Sequence, residues 1–93
     1  MSKVKSDGGS SSYYTIKLPQ EVIDKIVENG SIETEEIIKH GFGNDFDFGN
    51  IQKTLKRLYE ISQGGGKEGN TAQYEINKIR YTLDKLEANI ETF

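Results

Sequence analysis

The 93-residue chain has no cysteine and a single histidine. The first absence excludes disulfides and the thiolate zinc sites that stabilise many small domains. The second excludes a metal cluster built from the histidines of one chain, since His40 stands alone. No apolar run comes near the ~20 residues needed to cross a bilayer. The opening stretch MSKVKSDGGSSS carries no apolar signal core, so a soluble protein of the cytoplasm, without a membrane partner, is the expectation. Apolar residues are scarce too, at 33% of the chain, which leaves one copy a thin core. With neither covalent nor metal staples, stability has to come from helix packing or from association, and a homo-oligomer is expected. Positive charge is also in deficit, with a formal net charge of −3. That argues against bulk binding along a nucleic-acid backbone, which needs a broad cationic field. A local cationic pocket for one small phosphorylated ligand is compatible with it.

What is present reads as helix. Residues 1–12 are mostly Gly, Ser, Lys and Asp and cannot bury enough surface to offset their ordering entropy, so this start is expected to be flexible. Residues 13–93 are expected to form a single helical domain. YYTIKLP, from Tyr13 to Pro19, is apolar enough to pack as an extended arm, with Leu18 biased away from helix by the adjoining proline. Pro19 suits a first helical turn. In QEVIDKIVENG, Val22, Ile23, Ile26 and Val27 fall on one side and Gly30 supplies a stop. IETEEIIKHG predicts a second short helix around Ile37 and Ile38, with Gly41 as its stop. GFGNDFDFGN is a connector in which Asp45 or Asp47 is placed to cap the next helix.

A third helix is marked by Phe48, Ile51, Leu55 and Leu58, one apolar stripe that ends near Gln63. A fourth is marked by Ile76, Ile79, Leu83, Leu86 and Ile90, with Asn70 or Thr71 to cap it. The short Gly-rich link between them predicts a long antiparallel hairpin. There is no internal repeat, and no strand-like alternation outside residues 13–18. The fold class is all-α.

The chemistry-bearing residues gather in the second half. GGGKEGN fails the P-loop pattern: Glu68 comes after Lys67 where Ser or Thr is required, and a helix precedes the loop instead of a strand. The loop is either a flexible linker or an anion nest of glycine amides with Lys67 at the start of the last helix. Lys53, Lys56 and Arg57 lie on the third helix; Lys78, Arg80 and Lys85 lie on the fourth. They are either solvated faces with nearby glutamates or cations that a hairpin brings together to neutralise phosphates. Arg57, off the apolar stripe, is suited to a forked phosphate contact, and its loss is expected to leave folding intact. Tyr74 and Tyr81 are helix–helix packing or a base platform. Tyr13 and Tyr14 form a lid, or an arm reaching a neighbouring copy. The pairs Glu35–Glu36 and Asp45–Asp47 match no calcium loop and are explained by capping. No Ser-His-Asp or Cys-His set supports nucleophilic catalysis.

Together, FGNIQKTLKRL, a Gly/Lys turn and YEINKIRYTLDKLE resemble a family of small tailed-bacteriophage proteins of unknown function, described as nucleotide kinase-like. Gly49, Asn50, Lys53 and Arg57 match its Gly-Asn-x-x-Lys helix with an Arg one turn on. Lys67 and Gly69 match its loop, and Glu75, Ile76, Lys78, Arg80 and Leu83 match its last helix. The resemblance covers roughly residues 20–90; the segment SIETEEIIKHGFGND stands as an insertion, and GGSSSYY lacks the histidine often found near the start of the family's members. It implies a phosphate site formed by Gly49, Asn50, Lys53, Arg57, Lys67, Lys78 and Arg80, with Tyr13, Tyr14 or Tyr81 stacking on the base. It implies a nucleotide partner, bound in the host cell cytoplasm and sequestered without a cofactor, host immune signals being one class of such ligand. A nucleoside monophosphate kinase-like enzyme using Mg²⁺ is the alternative, and a helical structural or adaptor protein is the third reading.

Overall fold

A computed structural model describes residues 11–93, and among these every regular element is helical: four α-helices, two short 3-10 turns and no strand. The flexible start expected for residues 1–12 lies outside the described residues, except that Ser11 and Ser12 open a 3-10 turn, Ser11–Tyr14. Tyr13 and Tyr14, expected at the head of an extended arm, belong to that turn. No helix is long and apolar enough to cross a membrane among the described residues.

The chain divides into two compact units, one ending at Gly43 and the other spanning Asn44–Phe93. In the first, α1 (Gln20–Asn29) begins after Pro19, whose carbonyl accepts from the amides of Val22 and Ile23. It ends at Gly30, which turns left-handed and donates its amide to Ile26 at 2.7 Å. Only Val22 and Ile26 of its expected apolar face turn inward, while Ile23 and Val27 are exposed.

The second helix, α2 (Thr34–Gly41), buries Ile38. Gly41 does not stop α2 as expected but is its last helical residue, with Phe42 as the C-cap. Space favours glycine there: a Cβ would sit 2.6 Å from Ile16 Cδ1, so a larger residue would push that side chain off the helix end.

The second unit consists of α3 (Phe46–Ser62) and α4 (Ala72–Ala88) packed against each other, then a 3-10 turn, Ile90–Thr92. Asp45 caps α3 by accepting from the Phe48 amide at 2.9 Å, and Thr71 caps α4 by accepting from Tyr74 at 3.1 Å. Asp47 is left free of capping and instead pairs with Lys85 of α4 at 3.1 Å. A second ion pair crosses between the helices, Arg57 Nε to Glu75 Oε1 at 3.2 Å.

The seam follows the expected apolar stripes only in part. Its buried residues are Gly49 and Thr54 on α3 and Glu75 and Thr82 on α4, with Ile51, Leu58, Ile61, Ile79 and Leu86 half-buried beside them. Phe48 is 39% exposed, Leu55 45% and Leu83 50%. Ile90, counted as the last member of the α4 stripe, lies beyond the helix and is exposed. Most of the buried polar groups are bonded, Glu75 through one of its two oxygens. Thr82 donates to the Lys78 carbonyl at 3.1 Å, and Arg57 ties both Glu75 and Thr54.

Candidate functional site

Among the described residues, two clefts stand out on the α3–α4 unit. The larger, of about 420 Å³, is lined from α3 by Phe46, Asn50 and Thr54 and from α4 by Tyr74, Asn77, Lys78, Tyr81, Thr82 and Lys85. Helical spacing explains this set. Tyr74, Lys78, Tyr81 and Lys85 recur at four, three and four residues, so they form one row along α4. Each lysine lies against rings. Lys78 Nζ is 5.7 Å from the Tyr74 ring centre, and Lys85 Nζ is 5.8 Å from Phe46 and 5.9 Å from Tyr81. Lys85 is charge-compensated by Asp47, whereas Lys78 makes no ion pair among the described residues. The cleft therefore offers exposed aromatic faces beside one uncompensated and one compensated ammonium, with the amides of Asn50 and Asn77 as neutral hydrogen-bonding groups.

The smaller cleft, about 360 Å³, is lined by Lys56, Arg57, Glu60 and Ile61 of α3 and by Gly66, Lys67 and Asn70 of the connecting loop. Gly66 has φ +94°, and a Cβ there would fall 2.7 Å from Ile61 Cγ1, so the loop folds against α3 only through a glycine. The amides of Gly64 and Gly65 donate back to the carbonyls of Ile61 and Glu60. They close the end of α3, and this takes them out of the anion nest considered for the loop. Lys56 bonds Glu60 at 2.7 Å, and that hydrogen bond and the neighbouring negative charge hold its ammonium above the usual lysine pKa.

The residues named from the sequence are thus divided. Asn50, Lys78 and Tyr81 line the larger cleft, and Arg57 and Lys67 the smaller. Lys53 and Arg80 are exposed and line neither. Gly49 is buried inside α3, because the Asp45 cap starts that helix at Phe46 and so places Gly49 in the helix body. Tyr13 and Tyr14 belong to the other unit, where their rings pack 5.8 Å apart and stay exposed.

Arg57 differs most from its expected role. Its Nε is committed to Glu75, and its Nη2 donates to Thr54 Oγ1 at 3.2 Å, so it is tied into the helix seam as well as lining a cleft. Phe46 is not singled out by the sequence, whereas Tyr74, weighed as packing or a base platform, and Lys85, weighed as a solvated or a phosphate-neutralising cation, both line the larger cleft. The signal for those two was the four-three-four row on α4, which alternates aromatic and cation beside the apolar stripe. Among the described residues no three His, Cys, Asp or Glu side chains come together as a metal site. Glu36 lies 3.3 Å from His40 within α2. Comparison with family models, curated proteins and solved structures finds no match to this chain.

Proposed function

We propose that the chain is a nucleotide-binding protein that holds a phosphorylated nucleotide in the larger cleft and sequesters it. The observation that carries this reading is the row of Tyr74, Lys78, Tyr81 and Lys85 facing Phe46 and Asn50. A base stacks on the exposed rings, and the phosphate takes the ammonium of Lys78, which makes no ion pair among the described residues. The resemblance to small phage proteins supplies the setting, a phage product in the host cytoplasm that retains a signal or metabolite. In this reading α3 and α4 form an antiparallel hairpin. The two crossing ion pairs support it, since Asp47 meets Lys85 while Arg57, further along α3, meets Glu75, earlier on α4. The assembly is a homo-oligomer, supported by the half-exposed Phe48, Leu55 and Leu83.

The test is a panel of nucleoside mono-, di- and triphosphates titrated by calorimetry, with heat release and mass analysis of the bound species. Intact recovery supports sequestration, Mg²⁺-dependent conversion supports the kinase-like alternative, and no binding by any member removes both. Tyr81→Ala should weaken the best ligand by about 1–3 kcal/mol, the range for one lost base–ring stack.

A further inference from the structure

The linings of the two clefts adjoin on α3. On α3 their linings share one face: Phe46, Asn50, Thr54, Arg57 and Ile61 recur at four, four, three and four residues. At the junction Arg57, of the smaller cleft, donates to Thr54 Oγ1, of the larger, at 3.2 Å. From Phe46 to Ile61 the shared face runs about 22 Å at 1.5 Å per residue. That is several times the ~3.4 Å that one nucleotide occupies along a stacked strand.

We infer that the two clefts act as one groove whose ligand is a short single-stranded oligonucleotide of roughly three to six residues. This rests on the nucleotide reading of the larger cleft and extends it. Three features favour a strand over a single nucleotide. Tyr74 and Tyr81 are seven residues apart, about 10 Å along α4, too far for one base to stack on both but suited to separated bases of one strand. The rings are open to solvent, with Phe46 74% exposed and Tyr81 67%, whereas small-ligand pockets enclose most of their guest. The charge is also spread: Lys78 in one cleft and Lys67 in the other make no ion pair among the described residues, and the only carboxylate lining either cleft, Glu60, is bonded to Lys56. A mononucleotide meets one of those ammoniums, while a strand meets both.

The limited groove and the net charge of −3 together set an upper length, so the chain does not coat long strands. The test uses the full chain and fluorescein-labelled oligothymidylates of one, two, three, four, six and ten residues in an anisotropy titration, with oligouridylates as a second arm to separate DNA from RNA. Affinity should rise at least tenfold from one to four residues and then level off. The tetramer should show a log–log salt slope near −1.4, from about −0.7 for each of two uncompensated cations. Lys67→Ala should lower the ratio of tetramer to monomer affinity at least threefold, while Arg80→Ala, outside both clefts, leaves that ratio unchanged. Circular dichroism confirms that both variants fold. Equal affinity for one and four residues overturns the groove while leaving the nucleotide reading intact. A ratio insensitive to Lys67→Ala, or equally sensitive to Arg80→Ala, also overturns it. Binding of neither monomer nor oligomer removes both proposals.

Discussion

Glu75 has the most completely buried side chain among the described residues, and it is a carboxylate. One oxygen accepts from Arg57; Oε2 has no hydrogen-bond partner in the protein. Such a group is tolerated only while its countercharge is present. Arg57→Ala should therefore destabilise the fold by about 2–3 kcal/mol in chemical denaturation, less than the ~3–5 of a fully buried pair because Arg57 is itself 40% exposed. Adding Glu75→Leu to Arg57→Met should recover most of the loss, as apolar replacement of both partners removes the stranded charge. This reverses the expectation that Arg57 could be removed without a folding cost. That expectation came from counting positions along α3, which cannot reveal a partner eighteen residues further on. The Lys56–Glu60 pair behaves differently. Glu60 raises the Lys56 pKa above 10.5, so the pair's contribution is complete below that pH and fades only as pH climbs through the higher, folded value. Melting between pH 7 and 9 should be unaffected by it.

At the scale of elements, three helix ends were legible, at Gly30, Asp45 and Thr71, and the inward faces only in part. Asp45, Thr71 and Gly30 are local signals, since a cap or a left-handed stop is decided within a few residues. Thr71→Ala should lower stability by about 1 kcal/mol, read from the shift in the denaturation midpoint. Gly66→Ala should be worse, because the residue must both hold φ +94° and avoid Ile61; loss of the α3–α4 amide protection pattern in hydrogen exchange would report it. The face of α3 was legible only in part, with Ile51 and Leu58 half-buried and Phe48 and Leu55 exposed. Phe48, Ile51, Leu55 and Leu58 define a stripe broad enough to serve two sides of the helix. Which side meets α4 depends in part on Arg57, held by Thr54 on α3, reaching Glu75 on α4, and that information lies in two segments together. The same holds for the site: Lys78 and Tyr81 could be named from α4 alone, but Phe46 enters only once α3 is laid beside it.

For the whole molecule, the unclaimed apolar surface carries the sharpest expectation. If Phe48, Leu55 and Leu83 meet a second copy, Leu83→Asp should leave helicity by circular dichroism nearly intact, since the residue is already half exposed, while light scattering falls from an oligomer towards the 10.5 kDa of one chain. Unfolding together with dissociation would instead place Leu83 in the core. All-helical character was plain from composition and periodicity. The division at Gly43–Asn44 was not, because turn-rich connectors inside a domain and between units look alike in sequence. The buried Arg57–Glu75 contact also bears on alignment. If α4 slid by one turn along α3, the carboxylate would lose its guanidinium while remaining enclosed, so slipped registers are strongly disfavoured. The contact does not distinguish, however, whether α3 and α4 belong to the same polypeptide. Two chains that open at the Gly64–Gly66 hinge and exchange α4 would restore every buried bond. The seam thus forbids slippage while permitting domain-swapped dimers as concentration rises.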